Sequence, residues 1–161
     1  MGGFEEIGSQ AFENTSSLVS VSIPNAVNIQ NRAFYNGKKI KELNLDHAKE
    51  IETEAFYQCN ALTALNVPNV LEIGEKAFYG SKNLKELQLP ATLETLGDSA
   101  FAVEQKNRRK LNVTSERVTP PVVTPVKNNP FAYAVNSTLT VPAEAREAYV
   151  NAERWGDPKN Y

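Results

Sequence analysis

The chain has 161 residues, 17 lysines and arginines against 19 aspartates and glutamates, and 41% hydrophobic residues. That length fits one domain with a core of its own, and the balanced charge argues against a nucleic-acid binder, which carries a basic excess or stripe. No run of 18 apolar residues is present to span a membrane, and the single cysteine, Cys59, excludes a disulfide within the chain.

The first residues, MGGFEEIG, have neither the basic start nor the apolar stretch of a signal peptide. Any export signal is therefore expected outside this sequence. FEEIG (residues 4–8) aligns with VLEIG (residues 70–74), so the chain enters in mid-repeat and reads as the C-terminal piece of a longer array. The first complete strand, near residues 19–23, is then expected to have no neighbour on one side. Its apolar flank, Phe4, Ile7, Phe12, Leu18, Val21 and Ile23, would lack a covering coil. Such an edge is a template for self-association.

From there a phrase recurs. Phe12, Phe34, Phe56, Phe78 and Phe101 are spaced 22, 22, 22 and 23 residues apart, each directly after an alanine. Five residues before each stands an aliphatic side chain: Ile7, Ile29, Ile51, Ile73 and Leu96. After each comes an apolar triplet, such as Leu62, Leu65 and Val67. The fifth copy is degraded by an insertion, and Leu111 and Val113 resume the pattern. SVSIP, ELNLD, ALNVP and ELQLP alternate apolar and polar residues, as half-buried strands do. Pro24, Pro68 and Pro90 end three of them by removing a donor. The segment around Ala-Phe is too short for a stable helix, so it is expected to be a helical turn or tight bend. One copy cannot bury its phenylalanine alone, whereas stacked copies form a continuous core. The expected fold is a β-rich solenoid of about five 22-residue coils over residues 1–114, right-handed because parallel crossovers are.

Residues 119–130, TPPVVTPVKNNP, hold four of the nine prolines and cannot be a helix or a central strand. STLTVP then reads as one more strand. A helix is expected near residues 143–155, with Ala145, Ala148, Tyr149, Ala152 and Trp155 as its apolar stripe and Gly156 closing it. Residues 115–161 thus form a proline-rich connection and a strand-helix cap, packed on the last coil as part of the same domain.

The period of 22 lies in the leucine-rich-repeat range. The usual Asn/Cys slot of that repeat, however, holds Ala26, Ala48, Val70 and Thr92. The form I-x-x-x-A-F-x5-L-x-x-L-x-L-P resembles the BspA-type leucine-rich repeats of bacterial surface proteins over roughly residues 4–114, and the TLTVP…Y…W ending is similar to their closing segment. The resemblance implies an extracellular or cell-surface location, adhesion, and binding to a host or matrix partner.

The chain shows no catalytic constellation, cofactor motif or metal-ligand cluster, and none is expected. His47 falls in a turn column with Asn25, Asn69 and Ala91. Cys59 shares its column with the small residues Thr15, Gly37 and Ser81, which suits a packing position better than a nucleophile. Glu50, Glu52, Glu54, Glu72 and Glu75 read as a solvated face. KNRRK (residues 106–110) coincides with the insertion and reads as a surface loop.

Two rows remain as candidate binding surfaces. The outward strand positions align as Ser22, Asn44, Asn66, Gln88 and Asn112, beside Ser20, Glu42, Ala64, Glu86 and Lys110. Amides and hydroxyls in a row suit a peptide backbone or sugar hydroxyls, although any exposed strand face is polar. The alternative is the aromatic row Tyr35, Tyr57 and Tyr79, which equally reads as a brace along the coil turns. The function expected is a non-catalytic surface or secreted module binding an extracellular protein or a glycan, without nucleic-acid binding or membrane insertion. The alternative is a structural spacer within a larger surface protein.

Overall fold

A computed structural model describes residues 5–124, 128–152 and 155. The chain winds into a parallel β-solenoid whose coils present two strand faces and one face of bends. The strands read as alternating segments form one face: β2 (Ser20–Ser22), β4 (Glu42–Asn44), β6 (Ala64–Asn66), β8 (Glu86–Leu89), β10 (Asn112–Ser115) and β12 (Thr138–Thr140). The column of aliphatic residues ahead of each phenylalanine is itself a strand, which the sequence pattern did not reveal. Those segments are β1 (Glu5–Ile7), β3 (Ala26–Ile29), β5 (Glu50–Ile51), β7 (Glu72–Ile73), β9 (Thr95–Gly97) and β11 (Val122–Thr124). They pair in the order β1-β3-β5-β7-β9-β11 as one unbroken six-stranded parallel sheet. Ile29, Ile51, Ile73, Leu96 and Val123 lie opposite one another and point into the core.

The Ala-Phe segment is a bend, not a helical turn. Alternate amides serve different coils. The amides of Arg32, Phe34 and Asn36 donate to the carbonyls of Thr53, Ala55 and Tyr57 in the next coil, at 3.1, 2.8 and 2.7 Å. Those of Ala33, Tyr35 and Gly37 donate three residues back within their own coil. The next coils repeat this at Phe56 and Phe78. Pointing alternate amides along the stack requires left-handed backbone at two positions per coil. Gln10, Arg32, Glu54, Lys76 and Ser99 have φ from 52° to 60°, and Asn14, Asn36, Gln58 and Gly80 have φ from 56° to 78°. Non-glycine side chains tolerate that conformation only where surroundings impose it. Here the inter-coil hydrogen bonds do.

The bend places each phenylalanine over the next. Phe12, Phe34, Phe56, Phe78 and Phe101 stack nearly parallel with centroids 5.0, 5.1, 5.1 and 5.3 Å apart. Phe131 adds a sixth ring, 5.9 Å beyond Phe101. The stack therefore has six rungs, one more than the copies legible in the sequence. Val122–Thr124, inside the proline-rich segment, pairs with β9 as the last strand of its sheet, an edge position that a flanking proline permits. The strand expected at STLTVP is β12, paired with β10.

The cap is shorter than the stripe suggested. Ala143–Ala145 is a 3-10 turn leading into a six-residue helix, α1 (Arg146–Asn151), and Ala152 at φ −74°, ψ 136° has already left it. Ala148 is exposed, whereas Ala145, Tyr149 and Trp155 are buried. Trp155 meets Phe131 edge-on at 5.2 Å and Tyr149 at 5.1 Å, and its indole N–H donates to the Pro121 carbonyl at 3.2 Å. Packing on the last rung, rather than intrinsic helix stability, holds so short a helix. Gly156 lies outside the described residues.

Candidate functional site

The strand face presents two polar columns between buried leucines. Strand pairing places Ser22 opposite Asn44, Asn66 opposite Gln88, Gln88 opposite Thr114, and Thr114 opposite Thr140. The neighbouring column is Ser20–Glu42 and then Ala64, Glu86, Asn112 and Thr138. Asn112 thus belongs beside Glu86, not beyond Gln88 as sequence alignment had it, and Lys110 falls outside both columns. The cause is the insertion after Phe101. It adds three residues where the sequence alignment allowed for one, and the difference of two is the strand period, so alternation alone cannot detect the slip. Within the true column, Asn112 Nδ2 donates to Glu86 Oε1 at 2.8 Å and Thr138 Oγ1 to Asn112 Oδ1 at 3.0 Å. Asn44, Asn66, Gln88, Thr114 and Thr140 are all exposed.

This face is not one sheet. β2 and β4 form a pair, β6, β8, β10 and β12 form a separate sheet, and β4 is not hydrogen-bonded to β6. A surface groove of about 500 Å³ opens at the division and extends across β6 and β8 to β10, lined by Glu42, Leu43, Ala64, Leu65, Gln88 and Thr114 among others. Sequence reasoning had no signal for it.

The tyrosine row does stack. Tyr35–Tyr57 and Tyr57–Tyr79 centroids are 4.8 and 5.1 Å apart, and all three rings are half-buried. Burial raises the Tyr57 hydroxyl above its ordinary range, with its tyrosine neighbours adding to the effect. The Arg32 guanidinium lies 4.1 Å over the Tyr35 ring and bridges Glu13 at 2.7 Å. The row is thus engaged in bracing successive bends.

Cys59 is fully buried, its Sγ 3.8 Å from the Phe34 carbonyl, and burial pushes its thiol up to about 12. A thiol so far from ionisation is a packing group. His47 is exposed and its Nδ1–H donates to the Pro24 carbonyl at 2.7 Å. Asn69 and Thr92 make the same kind of bond one and two coils on, to Asp46 and Val70. Asn69 shares the His47 column and Thr92 lies one residue beyond it, so these bonds tie turn to turn. Glu52 accepts from Asn28 Nδ2 and from the Asn31 amide, at 3.0 and 2.9 Å. Among the described residues no three acidic, histidine or cysteine side chains converge as metal ligands.

The basic run is not wholly a surface loop. Lys106, Arg108 and Lys110 are exposed, but Arg109 turns inward to 7% exposure. Its Nε donates to the Leu84 carbonyl at 3.0 Å and its Nη2 to the Phe101 carbonyl at 2.7 Å. The carbonyls of Phe34, Phe56 and Phe78 accept an amide three residues on. After Phe101 the insertion redirects the chain, and the guanidinium takes that place. Desolvation lowers its pKa to about 10.

No curated protein matches the chain. Residues 3–108 match the family described as BspA type Leucine rich repeat region, in six copies. The 22-residue period, the two parallel strand columns and the phenylalanine stack are the physical content of that match, and the chain belongs to the BspA-type leucine-rich repeat family.

Proposed function

We propose that the chain is a non-catalytic interaction module of a secreted or cell-surface protein, and that it binds an extracellular protein or a glycan through its strand face. The family supports an interaction role. The observation that carries the reading is the exposed column Ser22, Asn44, Asn66, Gln88, Thr114 and Thr140, one amide or hydroxyl per coil. Repeated once per coil, these groups line the strand face with a row of donors and acceptors, interrupted only where β4 and β6 do not pair. The tyrosine row is the weaker candidate because its rings are half-buried and occupied with one another.

The test is a glycan and extracellular-protein array probed with the wild type and with the triple variant Asn44→Ala, Asn66→Ala, Gln88→Ala. Array binding should be lost in the variant while its melting temperature barely moves, since exposed substitutions shift stability by less than about 0.5 kcal/mol. Binding that survives the triple variant and fails in Tyr57→Ala would transfer the site to the aromatic row. We further propose that the first coil either pairs with a second copy or frays, a reading supported by the exposure of Phe12 and Val19 there. Amide exchange in residues 5–23 should be faster than in residues 56–90, and should slow as concentration rises if a dimer forms; protection uniform from the first coil onward and independent of concentration would refute the reading.

A further inference from the structure

The division of the strand face is local. On the opposite face β3, β5 and β7 are hydrogen-bonded in unbroken order, and in the bends Phe34 stacks on Phe56 at 5.1 Å. Just past the divided strands, Asn69 Nδ2 donates to the Asp46 carbonyl at 2.7 Å. The second and third coils are therefore in contact on two sides and parted on the third, for the length of one short strand.

The gap has a consistent chemistry. Its floor is apolar. Leu43 is only partly buried, as is Leu139 on the terminal strand, whereas Val21, Leu65, Leu87 and Val113 are 6, 3, 2 and 1% exposed. Its rim on the third coil is trimmed: Thr63 and Ala64 stand where the neighbouring coils carry Lys41-Glu42 and Lys85-Glu86. Two parallel strands face each other across the groove without pairing, each offering main-chain donors and acceptors. The groove has no aromatic side chain on which a sugar ring could lie. Of its charged lining groups, Glu42 and Glu86 outnumber Lys41, so the rim favours a cationic occupant.

We infer that the slot between β4 and β6 receives an extended peptide of a partner protein as an added strand. Its apolar side chains rest on Leu43 and Leu65, and its alternate, basic side chains face outward beside Glu42 and Glu86. This rests on the interaction-module reading and narrows it to strand addition, in which main-chain hydrogen bonds supply affinity and alternate side chains supply selectivity.

The probe is the end-capped peptide KVKVKVK, titrated into isotope-labelled full-length protein. Its control is the same peptide N-methylated at each valine, which removes alternate main-chain donors. The expected result is resonance shifts and slowed amide exchange centred on Leu43, Thr63, Ala64 and Leu65. Affinity should fall at least about tenfold, or 1.4 kcal/mol, for the N-methylated peptide and for the Ala64→Lys variant. Ala64 is exposed, so that variant should melt like the wild type. Absence of binding, equal binding of the methylated peptide, or shifts confined to other coils would overturn the inference. So would a neutral oligosaccharide that shifts these same amides while the peptide does not. An array partner whose binding survives Ala64→Lys but not the triple variant would remove the slot and leave the strand-face reading standing. Slot binding of the peptide by a protein that binds nothing on the array would do the reverse.

Discussion

The two ends of the phenylalanine stack carry the same ring in different surroundings. Phe12 is 42% exposed and, among the described residues, stacks only on Phe34, 5.0 Å away. Phe131 is fully buried, with Phe101 on one side and the Trp155 edge on the other. Behind Trp155 stands Tyr149, whose hydroxyl lies 2.7 Å from Ser115 Oγ. In a stack where each rung contacts only its neighbours, a side chain's contribution depends on whether both of its faces are covered. One sequence motif should therefore give different energies along the molecule.

The largest effects should separate covered rungs from the uncovered one. Phe56→Ala and Trp155→Ala each remove a fully packed aromatic and should cost about 3–5 kcal/mol. Phe12→Ala should cost closer to about 1 kcal/mol. Urea unfolding of the three variants measures this directly. Equal costs for Phe12 and Phe56 would show that the first rung is as tightly held as the middle.

A second contrast lies in the glycines ahead of the bends. A Cβ on Gly97 would fall 2.3 Å from the Glu75 amide nitrogen and the Gly74 carbonyl carbon, both backbone atoms that cannot step aside. A Cβ on Gly8, in the equivalent place of the first coil, would meet nothing within 4 Å. Gly97→Ala should therefore destabilise by about 1–3 kcal/mol. Gly8→Ala should be neutral, or stabilise by up to about 1 kcal/mol by restricting the unfolded chain. Paired thermal melts decide it, and a destabilising Gly8→Ala would mean that the first coil is more tightly packed than its exposure indicates.

A further contrast is a pH dependence at the covered middle. The Cys59 thiol is raised by burial from 9.0 to about 12. Its folded pKa lies above the unfolded one, so its contribution is complete below pH 9 and is lost as pH rises from 9 towards 12. The Cys59→Ser variant, matching Ser81 one coil on, should lose less stability across that window than the wild type. Thiol labelling near pH 8 sharpens the comparison of ends. Native Cys59 should label slowly, and Thr15→Cys in a Cys59→Ser background should label faster because Thr15 is only partly buried. Equal labelling rates would remove the distinction.

Much of this architecture is written in the chain. A period of 22 with phenylalanine, alanine and aliphatic columns in phase admits stacking and little else, because a single copy has no second surface on which to bury its ring. The alternation in SVSIP, ELNLD, ALNVP and ELQLP assigns each residue to core or solvent, and the structure keeps that assignment at Val21, Leu65 and Leu87. The tyrosine stack and the aromatic cap follow from equal spacing and from Trp155 beyond the last strand.

The remaining features depend on contacts between coils, which no single copy encodes. The aliphatic column became a sheet because its backbone pairs across neighbouring coils, although two to four residues per coil are too few to show alternation. Left-handed backbone at Arg32 and Glu54 is set by amides reaching the next coil, so no glycine marks it. The sixth rung was hidden because Phe131 follows Phe101 by 30 residues rather than 22, through a proline-rich stretch that resembles a linker until it pairs. Asn112 was misplaced because a shift by a whole strand period leaves the pattern intact. Arg109 is buried because two main-chain carbonyls near the insertion needed a donor. The parted strands at Leu43 and Leu65 likewise arise from how two whole coils settle on each other. The chain thus determines that its coils stack and which side chains face inward, whereas the geometry between coils, and with it the groove, is decided only when the stack is assembled.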